Sequence, residues 1–405
     1  QKNEDKQHDF TKDPIEAYID GEWVRAKGTT LGADNGMGVA AAMAVLTATD
    51  IQHGPIEVLI TATEETGMDG ANGLKPGVLK GDILLNLDSE TEGELYVGCA
   101  GGLDATVEFN YKKAAVPAGS KAYKLALKGL KGGHSGMDIN LGRGNSNKLL
   151  FRFLKTHAQE LNLQIATING GSLRNAIPRE TFAVITLPAA NADKFLAKIK
   201  EAEAIYKAEL IEKDPDVKLS AEETEMPAHV MDADLQWRLT DAILGCPNGT
   251  VRMIDSMPDT VETSNNLAIV QTRDDKIVIN TLMRSSVETA KDYLAECLQS
   301  VFELAKADNI QFDGAYPGWK PNPQSAILKS MQDTYRKMFN KEARIMAVHA
   351  GLECGILGAK YPGWDMISFG PTICHPHSPD EKVNIPSVGK FWEFLKETLK
   401  EAPKK

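Results

Sequence analysis

Two stretches decide the fold: Ile56-Glu-Val-Leu-Ile-Thr-Ala-Thr63-Glu64-Glu65-Thr66-Gly67 and Ile83-Leu-Leu-Asn-Leu87-Asp88-Ser-Glu90. Each is a short apolar run that stops abruptly at acidic residues. Runs of this length, bounded by turn residues, predict buried strands. Ahead of them, Leu31-Gly-Ala-Asp34-Asn-Gly36 leads into residues 37–48, rich in Ala, Met and Leu, which predict a buried helix. Helix and strands in alternation, with polar groups where strands end, is the α/β pattern.

Working outward, residues 15–19 and 22–26 flank Asp20-Gly21, a turn dipeptide, and predict a hairpin. Beyond Gly101-Gly102 the style changes to strands beside amphipathic helices. Strands are predicted at 122–130 and 276–284, and helices at 147–161, 193–212, 234–244 and 288–305. Residues 213–227 are acidic, carry two prolines and read as a surface connection. After Gly314 the α/β style returns. Helices are predicted at 323–338 and 386–400, and strands at 344–348 and 365–369. The expected architecture is one α/β domain with a mostly parallel central sheet, formed by residues 1–102 and 313–405. An α+β domain of residues 103–312, with two α+β halves, interrupts it.

Composition excludes several classes. Over 405 residues, 42% are hydrophobic and 25% charged, which fits a globular chain and neither a disordered, coiled-coil nor collagenous one. Lys+Arg number 45 against 56 Asp+Glu, a net charge of −11, which argues against a nucleic-acid partner. No apolar run reaches the roughly 20 residues of a membrane span. Five cysteines is an odd number and no C-x-x-C pair occurs, so reduced thiols in a cytoplasmic protein are expected.

In open α/β sheets sites form at the carboxyl ends of strands. Asp34, the pair Glu64-Glu65, Asp88 and His377 sit after predicted strands or at a glycine turn. Taken singly, they read as a helix cap, a surface loop, a turn and a loop histidine. Together they are the hard oxygen and imidazole donors that suit Zn²⁺, Mn²⁺ or Co²⁺. One of the two adjacent glutamates can ligate while the other takes a proton from water. His134, between glycines in Lys131-Gly-Gly-His134-Ser-Gly136, is placed to stabilise an oxyanion or simply to sit in a turn. Asn175 and Arg284 read as carboxylate recognition or as a surface turn and an ion-paired strand end. His8, His53, His157, His229, His349 and His375 show no partner pattern, and His375 competes with its neighbour His377. No Gly-x-Ser-x-Gly elbow, Walker A loop or dinucleotide fingerprint is present, and Cys354 reads as a buried helix cysteine.

The segments Leu31 to Gly36, Thr63 to Gly67, Leu87 to Glu90, Gly132 to Gly136, Arg174 to Pro178, His349 to Cys354 and Gly370 to Glu381, taken in order, resemble the co-catalytic zinc peptidases that include carboxypeptidase G, aminoacylase and the bacterial dipeptidases. The resemblance runs along essentially the whole chain. It implies that Asp34 bridges two zinc ions, that Glu65 and His377 hold one of them and Asp88 the other, with Co or Mn as substitutes. It implies Glu64 as general base, His134 as oxyanion stabiliser, and Asn175, Arg284 and Gly351 as the grip on the substrate's carboxylate end. The inserted region corresponds to the family's lid. The implied activity is hydrolysis of small dipeptides, preferring those that end in histidine, by a cytoplasmic enzyme able to form a homodimer. The alternatives are another amide hydrolase of the group, a tripeptidase or N-acyl amino acid deacylase, or a non-catalytic relative.

One element of the family pattern is missing. The family carries a His-x-Asp on an early strand, and no His-x-Asp occurs here. Comparison with the family puts that motif before Gln1, so the chain is expected to be N-terminally shortened. Its Asp88-side zinc would then lack an imidazole. For these 405 residues alone the expectation is at most one tightly held zinc, negligible dipeptidase activity and a tendency to self-associate, and the activity that the resemblance implies is expected of the full-length protein.

Overall fold

The computed structural model describes residues 1–404. The chain divides into two compact units. One comprises Gln1–Cys99, Trp319–Val348 and the chain from Leu352 onward, and the other comprises Ala100–Gly318 with the three-residue excursion His349–Gly351.

The first unit holds two four-stranded sheets. In one, the strands Arg344–Val348 and Glu94–Cys99 pair in parallel, as do Asp365–Ser368 and Ile83–Asn86, and a single antiparallel contact, Ser368 with Tyr96, joins the two pairs. Parallel pairing dominates, as expected for an α/β unit. The other sheet is antiparallel and contains the predicted hairpin, Ala17–Asp20 with Trp23–Ala26, followed by Lys382–Asn384 and Ile373–Cys374. Helices Ala326–Phe339 and Ile385–Lys400 start at polar caps: Ser325 accepts the Leu328 N–H and Asn384 that of Ser387. They pack Tyr335 and Phe394 edge to face, with ring centroids 5.3 Å apart.

Two expectations for this unit need correction. The helix Ala33–Thr47 buries only Ala33, Gly38, Ala41 and Val45, while Met43 and Leu46 are 59% and 61% exposed. Its apolar residues run all round the helix, so composition alone suggested a burial that only one face achieves. Residues 56–63 run up to Glu64 without joining any ladder. Periodicity reports a segment's hydrophobicity, whereas a strand also needs a hydrogen-bonded neighbour.

The second unit is built on one antiparallel nine-stranded sheet. Its order is Lys218–Glu223, Ser120–Lys128, Thr181–Pro188, Gln164–Gly170, Met257–Arg273, Lys276–Ser285, Gly101–Asn110 and Asn309–Tyr316, with Gly249–Ile254 also paired to Met257–Arg273. Strand alternation puts Ala105, Val107 and Phe109, and likewise Ile277, Ile279 and Met283, into a single apolar core. Helices Ser146–Leu161, Ala192–Glu209, Ala233–Gly245 and Glu288–Leu304 close that core with Leu150, Phe195, Leu235 and Leu298. Asn145 caps the first of them by accepting the Lys148 N–H. The opposite strand face at Asp104, Thr106 and Asn280 is polar. The stretch read as a surface connection contains the edge strand Lys218–Glu223, with Leu219 buried. Its acidic side chains point outward, as an edge strand tolerates.

All five cysteines are free. Among the described residues no helix is long and apolar enough to cross a membrane.

Candidate functional site

In the first unit three of the predicted ligands come together. Asp34 enters at the start of helix Ala33–Thr47, Glu65 in the short helix Glu64–Gly67, and His377 in the loop between strands Ile373–Cys374 and Lys382–Asn384. His377 Nε2 lies 3.0 Å from Asp34 Oδ2 and 2.8 Å from Glu65 Oε2. One donor atom from each of the three lies within 4.8 Å of the others. An imidazole and two carboxylates so grouped fit a first-row divalent cation.

Electrostatics point the same way. Burial, then Glu65, Glu353 and Asp34, pushes the Glu64 carboxyl up to about 7. Asp88 lies outside the three-residue cluster, yet burial followed by the charges of Asp34, Glu64 and Glu353 raises it to about 8. Glu90, which the sequence did not single out, rises to about 7 through burial and Asp34. Asp34 is raised by burial and by Glu65, against the pull of His377. Burial lowers His377, but Glu65 and Asp34 outweigh it and hold the imidazole above its ordinary value. Carboxyls crowded to this degree repel one another unless a proton or a cation intervenes.

Glu353 was also missed. Its Oε2 accepts from Thr61 Oγ1 at 2.7 Å, which fastens the unladdered segment leading to Glu64 and Glu65. The buried Glu381 accepts four backbone N–H groups at residues 31–34.

The second unit gathers His134, Asn175, Arg284 and the segment that carries Gly351. His134 ends the short strand Gly133–His134, paired with Ala176–Ile177, so Ala176 stands opposite His134. The backbone N–H groups of Gly136 and Met137 both donate to His134 Nδ1 at 3.1 Å. Nδ1 is therefore an acceptor, and the proton of the neutral ring sits on Nε2. Burial and then Arg284 lower the pKa of this histidine, which keeps it neutral.

Arg284, 5% exposed, donates from Nε to Ser135 Oγ at 3.3 Å and from Nη1 to Tyr316 Oη at 3.0 Å. Three successive carbonyls fix the Asn175 loop. Asn266 Nδ2 donates to Arg174 O at 3.0 Å and to Ala176 O at 2.8 Å, and Ser135 N–H donates to Asn175 O at 2.8 Å.

His349, with no partner pattern in the sequence, belongs to the same group. Its Nε2 shares a 2.7 Å hydrogen bond with Ser264 Oγ, and burial followed by Arg284 pushes it down to about 3, so it stays neutral. The next carbonyl, Ala350 O, accepts the Ala100 N–H and holds the approach to Gly351. Gly136 is required here, because a Cβ would lie 2.1 Å from the His349 carbonyl oxygen. Cys354 is fully buried, with its thiol raised far out of the reactive range.

A family model described as the peptidase dimerisation domain matches residues 125–214. The cytosol non-specific dipeptidase of Escherichia coli (strain K12) is 50% identical over 405 residues, covering 100% of this chain and 83% of that protein. The crystal structure of aminoacylhistidine dipeptidase from Vibrio alginolyticus superposes with a TM-score of 0.96 at 52% identity, covering 100% of this chain and 82% of the other. The aminopeptidase PepT structure from Bacillus cereus ATCC 10987 covers 96% of this chain and 77% of its own at TM-score 0.51 and 15% identity, a likeness of fold alone.

Proposed function

Because this chain belongs to the M20 family of peptidases, we propose that it is a metal-dependent dipeptidase of the cytoplasm. Its substrates are dipeptides with a free amino terminus, with preference for those ending in histidine. The grouping of Asp34, Glu65 and His377 beside Glu64 carries the reading.

Asp34, Glu65 and His377 would hold a zinc ion, and Asp88 would contribute to a second; Co or Mn would serve as substitutes. Bound zinc supplies Lewis acidity and lowers the pKa of water. Glu64 takes the proton of the attacking water and delivers it to the leaving amine. The Glu64 carboxyl, raised by burial and its acidic neighbours, would lose its proton beside a bound cation and be the base at neutral pH. His134 donates from Nε2 to the oxyanion as it develops. Arg284, Asn175 and Gly351 recognise the terminal carboxylate, for which a buried guanidinium is geometrically suited. The match to a peptidase dimerisation domain supports a homodimer.

Profiling separates this activity from its neighbours. Dipeptides ending in histidine, dipeptides of other sequence, tripeptides and N-acetylated amino acids are compared with zinc present. The expected order puts dipeptides first and Xaa-His highest among them. Turnover of acetylated amino acids in preference to free dipeptides would replace the reading with a deacylase. The names of the two relatives differ in breadth, so equal rates across dipeptides would remove the histidine preference and leave the dipeptidase.

A further inference from the structure

Glu381 has no role in the chemistry above, yet its surroundings are specific. The side chain is 2% exposed and both oxygens are filled by one stretch of backbone. Oε2 accepts the N–H groups of Leu31 at 2.7 Å and Gly32 at 2.9 Å, and Oε1 accepts those of Ala33 at 2.8 Å and Asp34 at 3.1 Å. Four charge-assisted bonds from one carboxylate clamp the turn that launches helix Ala33–Thr47. Glu381 also closes the loop that bears His377. Its own N–H donates to Ser378 O at 2.9 Å, and the strands at the loop's base pair Cys374 with Lys382. One side chain thus ties the backbone of Asp34 to the loop of His377, two residues 343 apart in sequence.

We infer that Glu381 is a positioning residue of the metal centre. It fixes the backbone of Asp34 relative to the His377 loop, and so sets the affinity of the cluster for a divalent cation. The inference rests on reading Asp34, Glu65 and His377 as ligands. A plain helix cap would stabilise the helix and leave metal affinity alone. A positioning role makes affinity depend on the full carboxylate. In Glu381→Gln one oxygen becomes an amide NH2 that faces two N–H donors, and the turn holding Asp34 must move. In Glu381→Asp the carboxylate is retained but is one methylene short of the turn.

The test measures Zn²⁺ affinity by chelator competition, and the visible spectrum of Co²⁺ as a report on coordination geometry. It uses the full chain as wild type, Glu381→Gln, Glu381→Asp and Asp214→Asn. Asp214 is the control: a buried carboxylate in the other unit that accepts backbone N–H from Lys131 and from Gly144, each at 2.7 Å. Residues that orient ligands typically contribute about 10- to 100-fold to metal affinity, and a loss of that size with an altered Co²⁺ spectrum is expected for Glu381→Gln. Glu381→Asp should fall between Glu381→Gln and wild type, and Asp214→Asn should melt earlier while binding zinc as wild type does. Folded Glu381 variants that bind zinc within about twofold of wild type would overturn the inference. If Glu381→Gln does not fold, Glu381→Asp decides by the same criterion. His377→Ala is measured alongside. If it keeps wild-type affinity, the ligand reading fails and takes the inference with it. If it loses zinc while the Glu381 variants do not, the inference alone fails.

Discussion

The two units hold their candidate functional side chains in opposite ways. In the second, the candidate side chains are held by protein hydrogen bonds: Arg284 has Ser135 and Tyr316, His349 has Ser264 on Nε2, and Asn266 and Ser135 fill three successive carbonyls of the Asn175 loop, while Asn266 Oδ1 and His349 Nδ1 stay buried without a hydrogen-bond partner among the described residues. One large apolar core of aromatic and aliphatic residues lies beneath them. In the first unit the candidate ligands face one another across short carboxylate and imidazole contacts, and several carboxyls are raised by burial and mutual charge. Its apolar packing includes three small clusters and an aromatic group of Tyr335, Phe339, Phe369, Phe391 and Phe394. The difference teaches that the candidate side chains of the second unit are positioned by neighbouring protein groups, whereas those of the first repel one another in a way that a positive charge would relieve.

Breaking the first unit should have the largest effect. Asp34→Asn or His377→Ala should abolish tight metal binding and bring dipeptide turnover to background, as measured by metal content after gel filtration and by a hydrolysis assay. Glu64→Gln should separate chemistry from binding. Metal content stays at wild type while kcat falls by about 10²–10⁴, the usual contribution of a general base. Near-wild-type kcat in Glu64→Gln would assign the proton to another group.

The second unit should respond through substrate affinity. Arg284→Met removes a buried charged donor set whose bonds are worth roughly 1.5–3 kcal/mol each, so kcat/KM should fall by about 10- to 100-fold. The fall should be much smaller for a dipeptide amide, which has no carboxylate to recognise. Equal losses on both substrates would move Arg284 out of the grip.

Titration sharpens the contrast without any mutation. Glu64 and Asp88 have folded values of about 7 and about 8, above the ordinary carboxylate range. Between their unfolded and folded values the native state binds more protons than the unfolded chain, so their ionisation destabilises the fold as pH rises. His377 is also raised, and its stabilising charge is lost as pH climbs through its folded value. All three act in the same direction. Metal-free protein should therefore melt progressively earlier from about pH 6.5 to about pH 8, above the range in which the buried neutral His349 acts in the opposite sense, while excess zinc should flatten that slope and release protons on binding. Calorimetric scans across pH with and without zinc check this. A metal-free melting temperature that rises over the interval would contradict the crowding of the cluster.

Much of this was legible in the sequence, for physical reasons that differ by residue. Asp34, the pair Glu64-Glu65, Asp88 and His377 drew notice as acids and imidazole where strands and glycine turns end; the family resemblance singled out Glu65 as the ligand of the pair, and the structure gathers Asp34, Glu65 and His377 but leaves Asp88 outside the cluster. Residues 56–63 were read as a strand because hydrophobicity is encoded locally, whereas a pairing partner is not. Residues 218–223 were missed because an edge strand can carry acidic side chains outward and look like a loop. Glu381 looked like one more loop acid, since nothing local announces that four N–H groups 347 to 350 residues away converge on it. His349 escaped because its partner Ser264 lies 85 residues distant. Asn266 was hidden in Thr263-Ser-Asn-Asn266, a polar run buried on both faces of its strand, where alternation carries no signal.

That buried asparagine gives the smallest and most discriminating effect. Asn266 is 1% exposed, and its amide nitrogen serves the carbonyls on either side of Asn175. Asn266→Ala leaves both carbonyls without that donor, and each unsatisfied buried group costs about 1–3 kcal/mol, so the thermal midpoint should fall measurably. The loop then holds Asn175 less firmly. KM for a free dipeptide should rise only several-fold, with kcat nearly unchanged, because nothing that carries the proton has moved. A double-mutant cycle separates the two consequences. In an Asn175→Ala background, Asn266→Ala should still lower the melting temperature by the full amount yet add nothing to KM, since the side chain it positioned is gone. An additive rise in KM would show that Asn266 acts on substrate by a route other than Asn175. The second unit's grip would then be less completely built by its hydrogen bonds than the contrast with the first unit implies.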